Sequence, residues 1–140
     1  MDTGIIADTC VWIEFFRNRE SELTRHLKEH IKERKVTMVG MVLAEILQGI
    51  RTKKEAGIVK ESLKKLPYLE ATWDAWEKAG ELSRDLRRKG TTIPLSDLII
   101  ASIAIIGGNA VLTIDPHFQH VPGLKLKDLP LQRRKQPTAH

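Results

Sequence analysis

The chain has 140 residues, of which 41% are hydrophobic and 29% are charged, and these values are typical of one soluble globular domain. The single cysteine, Cys10, excludes an internal disulfide bond and a cysteine-based zinc cluster, and it favours a reducing, cytoplasmic compartment. The net charge of +5 favours polyanionic partners, because a basic protein attracts phosphate groups.

The N-terminus has no basic segment followed by a long apolar run, so we expect no signal peptide. The most apolar stretch, residues 98–112, is interrupted by Ser102, Gly107 and Asn109. It is also shorter than the ~18 apolar residues that indicate a membrane span. We therefore expect a cytoplasmic protein without a membrane segment.

Short apolar runs alternate with helical patterns in the first half of the chain. Residues 4–7 predict a buried strand that ends at Asp8, and residues 9–16 predict a short apolar helix. Ser21 predicts the cap of a second helix, which is followed by a β-branched strand at residues 35–39. Three further elements are expected in this half: an apolar helix at 41–50, a charged helix at 53–66 that Pro67 ends, and a short strand at 68–71.

The second half begins with a helix that Gly90 ends. One stripe of this helix is interpreted as core or as a dimer surface, and it consists of Trp73, Trp76, Ala79, Gly80, Ser83 and Leu86. Ser96 is expected to cap the next helix, which is apolar nearly all round from residue 98 to residue 106 and is therefore buried. Two more strands are expected at residues 110–113 and 124–126.

Strands that alternate with helices predict the α/β class. We expect a three-layer α/β/α sandwich on a mainly parallel sheet of about five strands, formed by residues 1–130 as a single domain. Residues 131–140 are polar and basic, and we expect them to form a disordered tail.

Four acidic residues lie inside or beside the most apolar segments: Asp8, Glu45, Asp97 and Asp115. A buried carboxylate is costly unless it is paired or bound to a metal ion. Taken singly, each residue has a structural interpretation. Asp8 and Asp97 suit helix N-termini, Asp115 suits a turn before a proline, and Glu45 suits the edge of a helix face.

The strand pattern favours a shared site over four separate roles. Asp8 and Asp115 follow strands, so both lie at the carboxyl edge of a parallel sheet, where open α/β sheets bind ligands. The helices that carry Glu45 and Asp97 begin at the same edge. Carboxylates this close raise one another's pKa, and a divalent cation removes the conflict. An all-oxygen ligand set suits Mg²⁺ or Mn²⁺.

The segments that carry these acids resemble the PIN-domain family, and specifically its VapC-type toxins. The resemblance covers residues 1–128 in the expected order, and its motifs are residues 6–12 around Asp8, 43–50 around Glu45, 93–102 around Asp97 and 112–118 around Asp115. It implies that the four acids form the family's metal-binding cluster, with Asp8 and Asp97 as direct ligands. Glu45 and Asp115 would ligate a second metal ion or hold the attacking water.

The same resemblance implies further residues and partners. Thr9 matches a small hydroxyl residue beside the cluster, and Thr113 matches a polar residue near the fourth acid. The implied activity is that of an Mg²⁺- or Mn²⁺-dependent endoribonuclease that acts as the toxin of a toxin–antitoxin pair. The implied partners are an RNA substrate, a small DNA-binding antitoxin similar to VapB, and a second copy of the chain in a homodimer.

Candidates for RNA contact are basic, namely Arg17, Arg51 and Lys53, although solvated helix faces explain such residues equally well. His117 and His120 lie beside Asp115 and are weaker candidates for substrate contact. Cys10 is interpreted as a small packing residue.

Three other functions stay open at this stage. The chain could be a PIN nuclease that is not a toxin and cuts RNA or DNA, or an inactive PIN module that binds RNA or a partner. A phosphatase with Asp8 as nucleophile is disfavoured, because Cys10 stands where that class has a second aspartate.

Overall fold

The computed structural model describes residues 4–127, and a five-stranded sheet lies at its centre. The strands are β1 (Ile5–Ala7), β2 (Val36–Val39), β3 (Tyr68–Leu69), β4 (Ala110–Leu112) and β5 (Lys125–Leu126). Their order is β3-β2-β1-β4-β5, and each neighbouring pair is parallel. All of β1 is buried, which explains why its sequence is apolar without alternation.

Six α-helices connect these strands within the described residues. They are α1 (Thr9–Phe16), α2 (Glu22–Lys32), α3 (Gly40–Gln48), α4 (Lys53–Leu63), α5 (Trp73–Arg88) and α6 (Leu95–Gly107), and a 3-10 turn follows β4 at Pro116–His120. The crossover from β1 to β2 and the crossover from β3 to β4 run in opposite directions across the sheet. Because such crossovers are right-handed, their helices cover opposite faces. The α/β sandwich on a parallel sheet is confirmed.

Several helix ends follow local sequence signals. Ser21 and Thr24 form a capping box at the start of α2, and Gly90 adopts a positive φ of 85° just after α5, where a side chain would be strained. The prediction that Ser96 caps α6 is wrong. The helix already begins at Leu95 after Pro94, because proline fixes its own φ and favours an extended conformation there.

The interpretation of the stripe on α5 as core is right for Ala79 and Leu86 but wrong for the two tryptophans. Trp73 and Trp76 are 79% and 52% exposed. The buried face of the helix consists of Ala75, Ala79, Leu82 and Leu86. Helix α5 packs closely along α6, and the two alanines permit this close approach where indole rings would not fit. The dimer-surface interpretation of the tryptophans stays a prediction.

Two expectations concern the ends of the chain and the membrane. The predicted tail at residues 131–140 lies outside the described residues. Within residues 4–127, no helix is both long enough and apolar enough to cross a membrane.

The core joins the sheet to the apolar faces of the helices, with Trp12, Leu98 and Phe118 among its most buried side chains.

Candidate metal centre

The acidic site lies where the strand order changes direction. Strands β2 and β4 flank β1, so the chain leaves β1 on one side and returns on the other. In open α/β sheets this switch point forms a crevice at the carboxyl ends of the strands. Ala7 is paired with Leu112 across the sheet. Asp8 and Thr113 therefore leave the sheet side by side, and the Asp8 amide donates to the Leu112 carbonyl at 2.9 Å.

Asp8 is 4% exposed and is held by three donors. Its Oδ1 accepts from the Thr9 amide at 2.8 Å, so Asp8 does cap α1. Its Oδ2 accepts from the Thr113 hydroxyl at 3.0 Å and from the Cys10 thiol at 3.4 Å. Burial raises the pKa of Asp8, and the three hydrogen bonds partly offset that rise. The Asp8 carboxylate thus has two roles, as the N-cap of α1 and as a member of the acidic cluster.

The two threonines predicted to support the acids each contact an acid or its backbone. Thr9 donates from its hydroxyl to Glu45 Oε1 at 2.7 Å and so joins α1 to α3. Thr113 accepts from the Asp115 amide at 2.9 Å while it donates to Asp8. One hydroxyl therefore connects the first acid to the fourth.

Asp97 lies in the first turn of α6 and is 9% exposed. Burial, together with the nearby charges of Asp115, Asp8 and Glu45, raises its pKa to about 6, and His117 partly opposes that rise. The four acids are therefore close enough to repel one another, as the sequence predicts.

Asp115 opens the 3-10 turn that follows β4. Its Oδ1 accepts from the His117 amide at 2.9 Å. The same turn brings His117 Nδ1 to 3.0 Å from Asp115 Oδ1 and to 3.5 Å from Asp97 Oδ2. Sequence reasoning named His117 only as a substrate contact, whereas the structure places its ring between two acids. The sequence signal concerned only the turn: an aspartate before a proline favours a turn in which its side chain accepts from the amide two residues later.

Cys10 contributes more than packing. Its thiol lies 3.6 Å from the Thr113 hydroxyl in addition to its contact with Asp8. Burial and the charge of Asp8 raise the pKa of the thiol to about 11. Cys10 is therefore a protonated donor at neutral pH, and it is poorly suited to act as a nucleophile.

The donor set fits a hard divalent cation. Carboxylate and hydroxyl oxygens dominate it, and such oxygens are the ligands that Mg²⁺ and Mn²⁺ prefer. Asp97, Asp115 and His117 each present one atom within 4.8 Å of the other two. A cation here would also remove the repulsion that raises the pKa of Asp97.

The predicted RNA contacts lie on exposed positions. Arg17 and Arg51 line a cavity of about 740 Å³ between α1, α3 and α4. Its wall also includes Ile13, one helical turn after Thr9, and Ile46, which is adjacent to Glu45. Lys53 is the exposed first residue of α4. RNA contact by these residues stays a prediction.

An α/β fold with a carboxylate cluster at its switch point defines a class of proteins suited to binding a divalent cation at that edge of the sheet. The sequence model of the PIN domain matches residues 5–124. The chain therefore belongs to the PIN-domain family, as its sequence motifs predict. A comparison with curated protein sequences gives no match.

Solved structures show the same fold at low sequence identity. One is the DNA-bound VapBC complex of Salmonella typhimurium, with a TM-score of 0.78 and 21% identity over 91% of this chain and 98% of that one. VapBC2 of Rickettsia felis, bound to a promoter DNA fragment, has a TM-score of 0.77 and 22% identity over 89% of this chain and 98% of that one. A toxin–antitoxin complex of Klebsiella pneumoniae has a TM-score of 0.68 and 18% identity over 86% of this chain and 95% of that one.

Proposed function

We propose that the chain is a divalent-metal-dependent endoribonuclease and the toxin of a toxin–antitoxin pair. The observation that carries this proposal is the convergence of Asp8, Glu45, Asp97 and Asp115 at the switch point of the sheet. Membership of the PIN-domain family supports the nuclease activity. The similar solved complexes support an antitoxin partner.

Each acid has a defined task in this proposal. Asp8 and Asp97, the two most buried of the four, hold the metal ion directly. Glu45 and Asp115 hold a second ion, or orient and deprotonate the attacking water. A bound divalent ion lowers the pKa of its water and stabilises the negative charge on the phosphate. The products carry a 5′-phosphate and a 3′-hydroxyl, and no side chain acts as nucleophile.

The neighbouring hydroxyls and the thiol keep these acids in place. Thr9 fixes the direction of Glu45 through its 2.7 Å hydrogen bond, while Thr113 and Cys10 fix Oδ2 of Asp8. These donors align the carboxylates before substrate arrives, and such preorganisation is a large part of catalysis by charge stabilisation.

A direct test uses purified chain and labelled RNA. We expect cleavage with Mg²⁺ or Mn²⁺, none in EDTA, and recovery when the metal ion is restored. Single-stranded DNA of the same sequence is the matched substrate control, because hydrolysis of this kind does not require the 2′-hydroxyl. Cleavage of DNA alone would replace the ribonuclease proposal with a DNA nuclease, and cleavage that survives chelation would reject the metal mechanism.

The toxin role has a separate test in cells. Expression of the chain alone should slow growth of a bacterial host, because cleavage of cellular RNA stops protein synthesis. Co-expression of the antitoxin, a small DNA-binding protein similar to VapB, should restore growth by covering the acids with a basic side chain. Active protein that leaves growth unchanged would contradict the toxin role and would leave the nuclease activity standing.

A further inference from the structure

His117 lies closer to two of the acids than a histidine that only borders the site would. Its Nδ1 is 3.0 Å from Asp115 Oδ1 and 3.5 Å from Asp97 Oδ2. Octahedral ions of this size hold their ligands at about 2.1 Å, so adjacent ligand atoms around one ion lie about 3.0 Å apart by the same geometry. The two distances at His117 are close to the spacing of adjacent ligands around a single ion.

The local backbone holds the ring in this place without a metal ion. Pro116 fixes the first residue of the turn, and the His117 amide donates to Asp115 Oδ1 at 2.9 Å. The side chain is 47% exposed, so a solvated ion can reach Nδ1 and the ring can shift by a few tenths of an ångström.

We propose that His117 is a nitrogen ligand to a divalent ion shared with Asp97 and Asp115, so that this site prefers a first-row transition ion such as Mn²⁺ to Mg²⁺. Mg²⁺ dehydrates reluctantly and binds through oxygen, whereas an imidazole nitrogen favours transition ions. This inference rests on the metal-dependent activity proposed above, and it names which ion the site selects.

A different role for His117 makes the opposite prediction. An imidazolium that only offsets the negative charge of Asp97 and Asp115 competes with every cation. Its removal would then tighten Mn²⁺ and Mg²⁺ binding to a similar degree. If His117 is a nitrogen ligand, its removal should weaken Mn²⁺ binding more than Mg²⁺ binding.

The experiment measures the affinities of Mn²⁺ and Mg²⁺ by calorimetry for the full chain and for His117→Gln, which keeps the size of the side chain but offers an oxygen. His120→Gln is the matched control, since His120 is an exposed histidine of the same 3-10 turn. We expect tighter binding of Mn²⁺ than of Mg²⁺ by the full chain. His117→Gln should reduce that ratio on the order of tenfold, as losses around metal ligands commonly do, and His120→Gln should not change it.

Electron spin-echo spectroscopy of bound Mn²⁺ gives a readout that is independent of activity. A nitrogen coupling should be present in the full chain and in His120→Gln, and it should be absent in His117→Gln. An unchanged affinity ratio or a missing nitrogen coupling overturns the role of His117. If the chain still cleaves RNA with metal in that case, the proposed function survives. If no metal binds to any variant, both proposals fail.

Discussion

Glu45 aside, the acidic cluster has two halves that are built differently. The strand-end half consists of Asp8, Thr113 and Cys10, and there each donor points at one carboxylate. The helix-and-turn half consists of Asp97, Asp115 and His117. There burial raises the pKa of Asp97 most, and other carboxylates raise it next. The protein therefore stabilises Asp8 with its own hydrogen bonds, whereas the charge of Asp97 is opposed by neighbouring carboxylates and offset in part by His117.

The largest effect should come from Asp8, which belongs to the half that is organised before metal binds. Asp8→Asn keeps the cap on α1, because asparagine caps nearly as well as aspartate. It removes a charge and a ligand, and we expect RNA cleavage to fall at least about 100-fold, as for the loss of one charge-stabilising group in other active sites. Initial cleavage rates measure this.

Asp74→Asn is the matched control for that substitution. Asp74 is an exposed acid in the first turn of α5. Its replacement makes the same change of charge away from the cluster, so the cleavage rate should be unchanged. Full activity of Asp8→Asn would show that Asp8 is only a helix cap, and it would contradict the difference proposed between the two halves.

An intermediate effect is expected at Thr113. Thr113→Val keeps the shape of this buried side chain but removes the donor to Asp8 and the acceptor for the Asp115 amide. We expect a 10- to 100-fold loss of metal affinity or activity, which is roughly the usual cost of losing a residue that orients a ligand. Thr113→Ser keeps the hydroxyl and should recover most of that loss. Equal activity of the two variants would show that the hydroxyl has no positioning role.

The smallest effect is expected at Cys10, since a thiol is a weak donor. Cys10→Ala should lower activity by less than about tenfold, because Thr113 still donates to the same oxygen of Asp8. The raised pKa of the thiol, about 11, also predicts slow alkylation by iodoacetamide at pH 7.5 in the folded chain and rapid alkylation after unfolding. Fast alkylation of the folded chain would contradict the buried, protonated thiol.

Much of the fold and the acidic cluster could be predicted from the sequence. Short apolar runs that alternate with helical patterns predict the parallel sheet, and acids placed directly after strands predict convergence at one edge. The phase of an amphipathic helix was harder to predict. On α5 the tryptophans and the alanines both repeat at helical spacing, and only the close approach of α6 decides that the alanines face inward.

The contacts inside the cluster could not be predicted, for a related reason. Whether the Cys10 thiol reaches Asp8 depends on the first turn of α1 and on the position of Thr113, which is far away in the sequence. The place of His117 depends on a turn that brings its ring back over Asp115 and on the start of α6. The contacts of Cys10 with Thr113 and of His117 with Asp97 join distant parts of the chain, at distances that a sequence pattern does not encode.

The central claim is that the carboxylates form one crowded site whose repulsion a divalent ion relieves, and Asp97 tests it most directly. Folding raises the pKa of Asp97 from 3.8 to about 6. Between these values the folded state binds the proton more tightly than the unfolded state does. The free energy of unfolding without metal should therefore fall as pH rises from 4 to 6, and it should stay lower above that range.

The decisive measurement is thermal unfolding of the wild-type chain and of Asp97→Asn at pH 7.5, with and without Mg²⁺. Without metal, Asp97→Asn should be as stable as the wild type or more stable, on the order of 1 kcal/mol, because one repelling charge is gone. Added Mg²⁺ should raise the melting temperature of the wild type more than that of the variant, since only binding to the folded state stabilises it. A variant that unfolds without metal, or equal stabilisation of both proteins by Mg²⁺, would contradict the shared carboxylate site.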